Sequence, residues 1–232
     1  MTRSGAERDV LVAGGTGYMG QQLIAQLLAR GHPVRALARP GSEHKLPAGC
    51  TAVTGDPLRA DSYRTYMRPG DTFVQLVGVP HPAPHKAAQF KAIDRIAGLE
   101  SVRAARERGV AHFVYVSVAQ PAPVMRAFIE VRAEVERAIA ASGVAATILR
   151  PWYVLGPGHR WPVALMPLYW LLERIPATAD GARRLGFVTL EQMLAALVNA
   201  VEHPPASVRI VDVPTIRASV ERGPSRAAVR RG

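Results

Sequence analysis

The chain is short of cysteine, of lysine and of long unbroken apolar stretches, and each shortage removes a class of explanation. Cys50 is the only cysteine in 232 residues, so no internal disulfide can form and no multi-cysteine metal site can be built. Lysine occurs three times against 26 arginines, so the formal net charge of +11 is carried by arginine. These arginines are scattered, and residues 217–232 alone hold five of them against one glutamate. No basic stripe interleaved with aromatics is present of the kind that stacks single strands, so nucleic acid is not an expected partner. The best candidate for a bilayer span, Trp161 to Ile175, is broken by Pro162, Pro167, Glu173 and Arg174 and falls short of the roughly 18 apolar residues required. The opening MTRSGAER is polar and leads straight into a strand-like run without an apolar signal region, and a cytoplasmic location is expected. What remains is 48% hydrophobic and 20% charged, the balance of a globular chain long enough to bury one full core.

Three stretches share one grammar, in which a helical segment ends in a polar residue and glycine and an apolar strand follows. They are LLARGHPVRALA at 27–38, AARERGVAHFVYVS at 104–117 and IAASGVAATILR at 139–150. Glycine takes the left-handed conformation that ends a helix, and β-branched and aromatic residues then favour extension. The strands are continuously apolar rather than alternating, as a parallel sheet covered by helices on both faces requires. Strands are expected near 9–13, 33–38, 51–54, 72–77, 112–117, 146–150 and 208–213. Helices are expected near 17–30, 87–108, 124–141, 162–174 and 190–202, with a shorter one near 61–67. The fold class is α/β, a Rossmann-like doubly wound parallel sheet with ligands at the carboxyl ends of its strands. It forms one domain over 1–216, with a small substrate lobe from about 151–190 and a basic tail at 217–232 that lacks an apolar pattern and is expected to stay disordered.

In VLVAGGTGYMG, residues 10–20, Gly14, Gly17 and Gly20 follow a short strand and open a helix. Gly14 permits the tight turn, Gly17 lets a pyrophosphate approach the backbone, and Gly20 lets helix and strand pack closely. This G-x-x-G-x-x-G spacing resembles the extended and atypical branch of the short-chain dehydrogenase/reductase superfamily, the NmrA-like and epimerase-like proteins. The resemblance runs from Asp9 to about Ile216 and rests on GGTGYMG, TGD at 54–56, FVYVS at 113–117 and ILRPWYVLGPG at 148–158, in that order. It implies an NAD(P)-binding protein in which Thr16, Tyr18 and Met19 join the three glycines on the cofactor, and Asp56 contacts the adenine amino group. Without the family, the GDP at 55–57 reads as a turn.

The end of the second strand bears on which dinucleotide is bound. NAD sites place an acid there for the ribose 2′-hydroxyl, whereas an arginine accommodates the phosphate of NADP. VRALARPGSEHK puts Arg39 in that place and no acid before Glu43, so NADP is expected over NAD.

The family's hydride-transferring members carry Ser or Thr at the end of the fifth strand and Tyr-x-x-x-Lys on the next helix. Ser117 matches the first position, and FIEVRAEVE at 128–136 sets Phe128 on the tyrosine and Arg132 on the lysine. Phenylalanine has no proton to give, while the Arg132 fork of donors can still hold ribose hydroxyls. The resemblance therefore keeps Arg132 as a cofactor contact and leaves proton supply to Ser117, to Tyr153 or Tyr18, or to water. Read without the family, the segment is an ordinary amphipathic helix with Phe128 in its core. His81 and His85 stand four apart, but Pro82 and Pro84 between them keep them from aligning on a helix as metal ligands, and no metal is expected.

Trp152, Trp161 and Trp170 fall together with Tyr153 and Tyr169, and this stretch either lines an apolar substrate pocket or packs against the sheet or a homodimer partner. Peripheral membrane contact is a third option. Two functions follow: an NADP-dependent oxidoreductase acting on an apolar carbonyl, enone or quinone-like compound, or a non-catalytic NADP(H)-binding redox sensor or accessory protein.

Overall fold

The strands β1 (Val10–Ala13), β2 (Val34–Ala38), β4 (Thr72–Gln75) and β6 (Ala146–Leu149) are buried along their whole length, as continuous apolar runs predict for strands sandwiched between helices. The computed structural model describes residues 7–122, 124–155 and 185–220. With β3 (Thr51–Thr54), β5 (His112–Val116) and β9 (Val208–Val211), these strands form one parallel sheet in the order β3-β2-β1-β4-β5-β6-β9. Val12 lies level with Ala36 on one side and Val74 on the other, and chain order reverses between β1 and β4. That reversal opens a crevice at the carboxyl ends of the two strands, the place where doubly wound sheets bind ligands.

Side chains alternate between the two faces. Val10, Val12, Val34, Val74, Val114 and Leu149 pack on Leu23, Ile24 and Leu27 of α1 (Tyr18–Ala29) and on Met193, Leu194 and Leu197 of α4 (Leu190–Glu202). Leu11, Phe73, Phe113, Tyr115 and Ile148 pack on Val102 and Ala105 of α2 (Ile96–Arg108) and on Val135 and Ile139 of α3 (Arg126–Ser142). Gly109 and Gly143 follow α2 and α3 with φ of 66° and 76°, the left-handed conformation expected at those helix ends.

Several elements differ from the sequence reading. The helix expected from 87 begins with one α turn (Ala87–Gln89) and passes through a π-helical turn (Phe90–Arg95) before α2. The short helix expected near 61–67 is a pair of 3₁₀ turns, Ala60–Ser62 and Arg64–Tyr66. The last strand stops at Val211, because Asp212 caps a short helix, α5 (Val213–Arg217), by accepting from the Thr215 amide, with Pro214 in its first turn. Two three-residue strands, β7 (Tyr153–Leu155) and β8 (Phe187–Thr189), pair in parallel and are additional to the expected set. The expected helix at 162–174, Trp161, Tyr169, Trp170 and the tail beyond 220 lie outside the described residues.

At the amino-terminal edge of the sheet, His112 is 1% exposed, and burial, followed by the Arg209 and Arg8 cations, pushes its pKa down to about 4. Its proton is therefore held less tightly in the native state than at the ordinary histidine value near 6.5. As pH falls from about 6.5 to about 4 the unfolded chain takes up a proton that the native chain refuses, so native stability drops by up to about 1.4 kcal/mol per pH unit. Urea midpoints measured across that window are expected to fall less steeply in His112→Gln than in the wild-type chain.

Candidate functional site

The glycine loop leaves β1 and enters α1 through backbone that side chains could not follow. Gly14 has φ of 85°, and a Cβ there would lie 2.9 Å from the Leu76 carbonyl carbon. At Gly20 a Cβ would stand 2.2 Å from the Gly14 carbonyl oxygen, so helix and loop touch through bare backbone. Gly17 is the residue that precedes the helix, and its amide donates to the Gly14 carbonyl at 3.1 Å. No side chain caps the first turn of α1, which leaves its amides pointing into the crevice as donors for an anion. This cradle, which a Cβ at any of three places would crowd, fits a dinucleotide pyrophosphate. Around it Tyr18 is half exposed, Met19 packs against the core, and the Thr16 carbonyl accepts from the Gln21 side chain at 3.0 Å.

Arg39 follows β2 directly, two residues beyond Leu37, which lies level with Ala13 at the end of β1. It is exposed, its carbonyl accepts from the Ser42 amide at 2.9 Å, and its guanidinium makes no hydrogen bond or ion pair among the described residues. Asp56 follows β3 on the same side. One of its carboxylate oxygens accepts from the Leu58 amide at 3.0 Å, so part of the side chain is spent on its own turn.

On the helix that carries Phe128, Arg132, expected as a cofactor contact, is held in a buried ion pair. Arg132 is 8% exposed and its guanidinium is ion-paired with Asp94, whose side chain is fully buried, while a second nitrogen donates to the Val116 carbonyl at 2.7 Å. Burial works against the Arg132 cation, but Tyr115 and Asp94 outweigh it, and its pKa ends above the ordinary arginine value. The other Asp94 oxygen accepts from the Val79 amide at 3.0 Å. Gly78 leaves the room for this pair, because a Cβ there would lie 2.6 Å from the Arg132 guanidinium. The Phe128 ring covers the same guanidinium at 4.9 Å and meets Phe90 at 4.9 Å. The bond between Asp94 and Arg132 thus ties the loop after β4, the π-helical turn, the end of β5 and α3 together.

One turn further along α3, Glu136 accepts from the Ser117 hydroxyl at 2.5 Å and from Arg150 at 2.5 and 3.1 Å. Ser117 is 4% exposed, so its proton is directed to Glu136. Glu136 and Arg150 also form part of the wall of a groove of about 650 Å³ that includes Gln120, Ile129 and Ile210. Tyr153, at the start of β7, is half-buried and meets Phe187 edge-on at 6.0 Å. His81 and His85 are exposed, and among the described residues no group of three or more His, Cys, Asp or Glu is placed to hold a metal. Asp94 and Glu136 were not singled out in the sequence. Both interrupt apolar stripes of their helices, among Phe90, Ile93 and Ala97 and among Val131, Val135 and Ile139, and that interruption was the available signal.

A parallel sheet with a glycine cradle at its switch point defines a Rossmann-type dinucleotide-binding protein. The chain belongs to the NAD(P)H-binding family, which it matches over residues 14–160. It is 29% identical to a Streptomyces protein described as 3-diazoavenalumate denitrifying reductase over 220 residues, covering 83% of this chain and 72% of that one. It is 36% identical over 125 residues to divinyl chlorophyllide a 8-vinyl-reductase of Oryza sativa subsp. indica, covering 48% of this chain but only 30% of that protein. The Bordetella bronchiseptica enzyme WbmH, solved in complex with NAD+, superposes with a TM-score of 0.66 at 19% identity over 89% of this chain and 76% of that one, a likeness of fold. Among the described residues no helix is long and apolar enough to cross a membrane.

Proposed function

We propose that the protein is an NADP-dependent oxidoreductase acting on an apolar carbonyl, enone or quinone-like compound. The observation that carries this reading is Arg39, a guanidinium unpaired among the described residues directly after β2, where an NAD site would place an acid. Arg39 would grip the 2′-phosphate through its fork of donors, the first-turn amides of α1 would hold the pyrophosphate, and Asp56 would meet the adenine. Bound NADPH would supply a hydride. The Streptomyces and Oryza relatives are both described as reductases, which supports the same direction of transfer.

Proton delivery is assigned to Tyr153 or to water. Phe128 has no proton, and the Ser117 hydroxyl is already donated to Glu136. Ser117 then serves through its oxygen lone pairs, orienting the group that carries the proton. Arg132, held by Asp94 and the Val116 carbonyl, keeps a positive charge behind the post-β4 loop on the cofactor side of the sheet.

NADPH absorbance is followed with a panel of quinones, enones and aldehydes in wild type, Tyr153→Phe and Phe128→Tyr. Turnover in wild type, lower by about tenfold or more in Tyr153→Phe, is the expected result. The replacement of tyrosine by Phe128 favours a second reading, a non-catalytic NADP(H)-binding sensor or accessory protein. Tight NADPH binding with no turnover on any compound of the panel would select it over the first.

A further inference from the structure

The face of the sheet under α1 and α4 changes character at the amino-terminal ends of its strands. Above, it is valine and leucine; in the bottom layer it is Arg8, His32, Thr72, His112, Thr147 and Arg209. Alternation puts Arg8 and His32 on the face of Val10 and Val34, Thr72 lies level with both Val10 and His112, and Thr147 lies level with Val114 and Arg209. Thr147 is fully buried, and its hydroxyl oxygen lies 3.0 Å from His112 Nε2 and accepts from Arg209 Nη2 at 3.2 Å. Among the described residues Nε2 is the one acceptor within reach of the Thr147 proton, and the tautomer that satisfies this proton carries that of neutral His112 on Nδ1.

That Nδ1 has no partner, and neither does the Nε of Arg8 or of Arg209, although all three atoms are sealed from solvent. Of the seven buried side-chain nitrogens without a hydrogen bond among the described residues, four belong to this layer, the fourth being His32 Nε2. His32 has Glu202 at 3.5 Å, and Glu202 also stands 3.6 Å from Arg30, so that carboxylate is engaged at the layer's edge. Asp71 is on the opposite face and is bound by Arg35 through both oxygens at 2.7 Å. Among the described residues Arg8 and Arg209 have no carboxylate within ion-pairing distance. Among those residues Arg8 makes no side-chain hydrogen bond, and Arg209 reaches only Thr147 and the His203 carbonyl at 2.8 Å. Two partly buried cations and a buried imidazole each keep a sealed nitrogen donor without a hydrogen bond, and together they call for an anion that accepts from several directions at once.

We propose that Arg8, His112 and Arg209 form an anion site at the amino-terminal edge of the sheet, for a small oxyanion of the phosphate, sulfate or carboxylate class. The site is roughly 20 Å from the glycine cradle, counting six residues of extended chain from Arg8 to Gly14 at about 3.3 Å each. It is therefore separate from the dinucleotide crevice at the other end of the same strands. The cations that oppose protonation of His112 are the ones an oxyanion would neutralise.

The test is a titration of ¹⁵N-histidine-labelled protein with inorganic phosphate at constant ionic strength, reading the His112 ring nitrogens, which are assigned by their loss in His112→Gln. Those resonances are expected to shift saturably in millimolar phosphate, with half-saturation raised about tenfold or more in Arg8→Gln and in Arg209→Gln. Lysine at either position keeps the charge without the fork, serves if a glutamine variant does not fold, and is expected to fall in between. Sulfate and acetate arms separate a tetrahedral oxyanion from a carboxylate. A linear response equalled by chloride, no shift with any of the three anions, or an unchanged half-saturation in every arginine variant would overturn the proposal.

Discussion

Replacing Gly17 by valine is expected to weaken dinucleotide binding by at least about a hundredfold, close to 3 kcal/mol, while the unfolding midpoint moves by no more than a few degrees. Gly17 has φ of −80° and ψ of 165°, extended backbone open to any residue, and a Cβ there meets only the Gly14 carbonyl oxygen, at 3.2 Å. The fold can absorb a few tenths of an ångström. The ligand cannot, because the isopropyl group would stand over the first-turn amides where the pyrophosphate has to approach. Gly20→Ala provides the contrast. Its Cβ would be 2.2 Å from backbone oxygen, so α1 must shift away from β1, and both stability and binding should fall. Calorimetric titration with NADPH beside thermal unfolding separates the two effects. Full-strength binding by Gly17→Val would place the cofactor somewhere other than this loop.

The second large effect is on stability. Arg132→Met should cost about 3 to 5 kcal/mol in urea unfolding, because among the described residues it leaves the buried Asp94 carboxylate with only the Val79 amide to hold it. Arg132→Lys should cost less yet remain clearly destabilising, since one ammonium cannot span Asp94 and the Val116 carbonyl as the guanidinium does. Asp94→Leu combined with Arg132→Met should be less damaging than the sum of the single changes, as removing both charges leaves neither unpaired. A loss under about 1 kcal/mol in Arg132→Met would mean that water reaches Asp94 and that the cross-brace is weak.

These two sites mark the boundary of what the sequence could disclose. The glycine loop was legible because its geometry is local: each of its residues is needed within a seven-residue stretch, directly after a strand and before a helix. The parallel sheet was legible for a similar reason, since continuous apolar runs and glycine-ended helices record burial on both faces. The pairing of Asp94 with Arg132 was not, because the partners are 38 residues apart and Arg132 was read as a cofactor contact rather than as half of a buried ion pair. Ser117 was found as a candidate, but its commitment to Glu136, 19 residues on, was not. The strands β7 and β8 are three residues each and meet only after a long excursion of chain, so neither carries a periodic signal. The replacement of a tyrosine by Phe128 is visible only beside the family pattern, because its packing on Phe90 is what any amphipathic helix would show.

The claim on which the rest depends is that this loop and Arg39 together hold a dinucleotide bearing a 2′-phosphate. Parallel calorimetric titrations of the wild-type chain and Arg39→Ala with NADPH and NADH test it directly. The account predicts that wild type binds NADPH at least about tenfold more tightly than NADH, and that Arg39→Ala loses this preference while keeping its affinity for NADH. Equal affinities in wild type, or a preference for NADPH that survives the loss of Arg39, would contradict it.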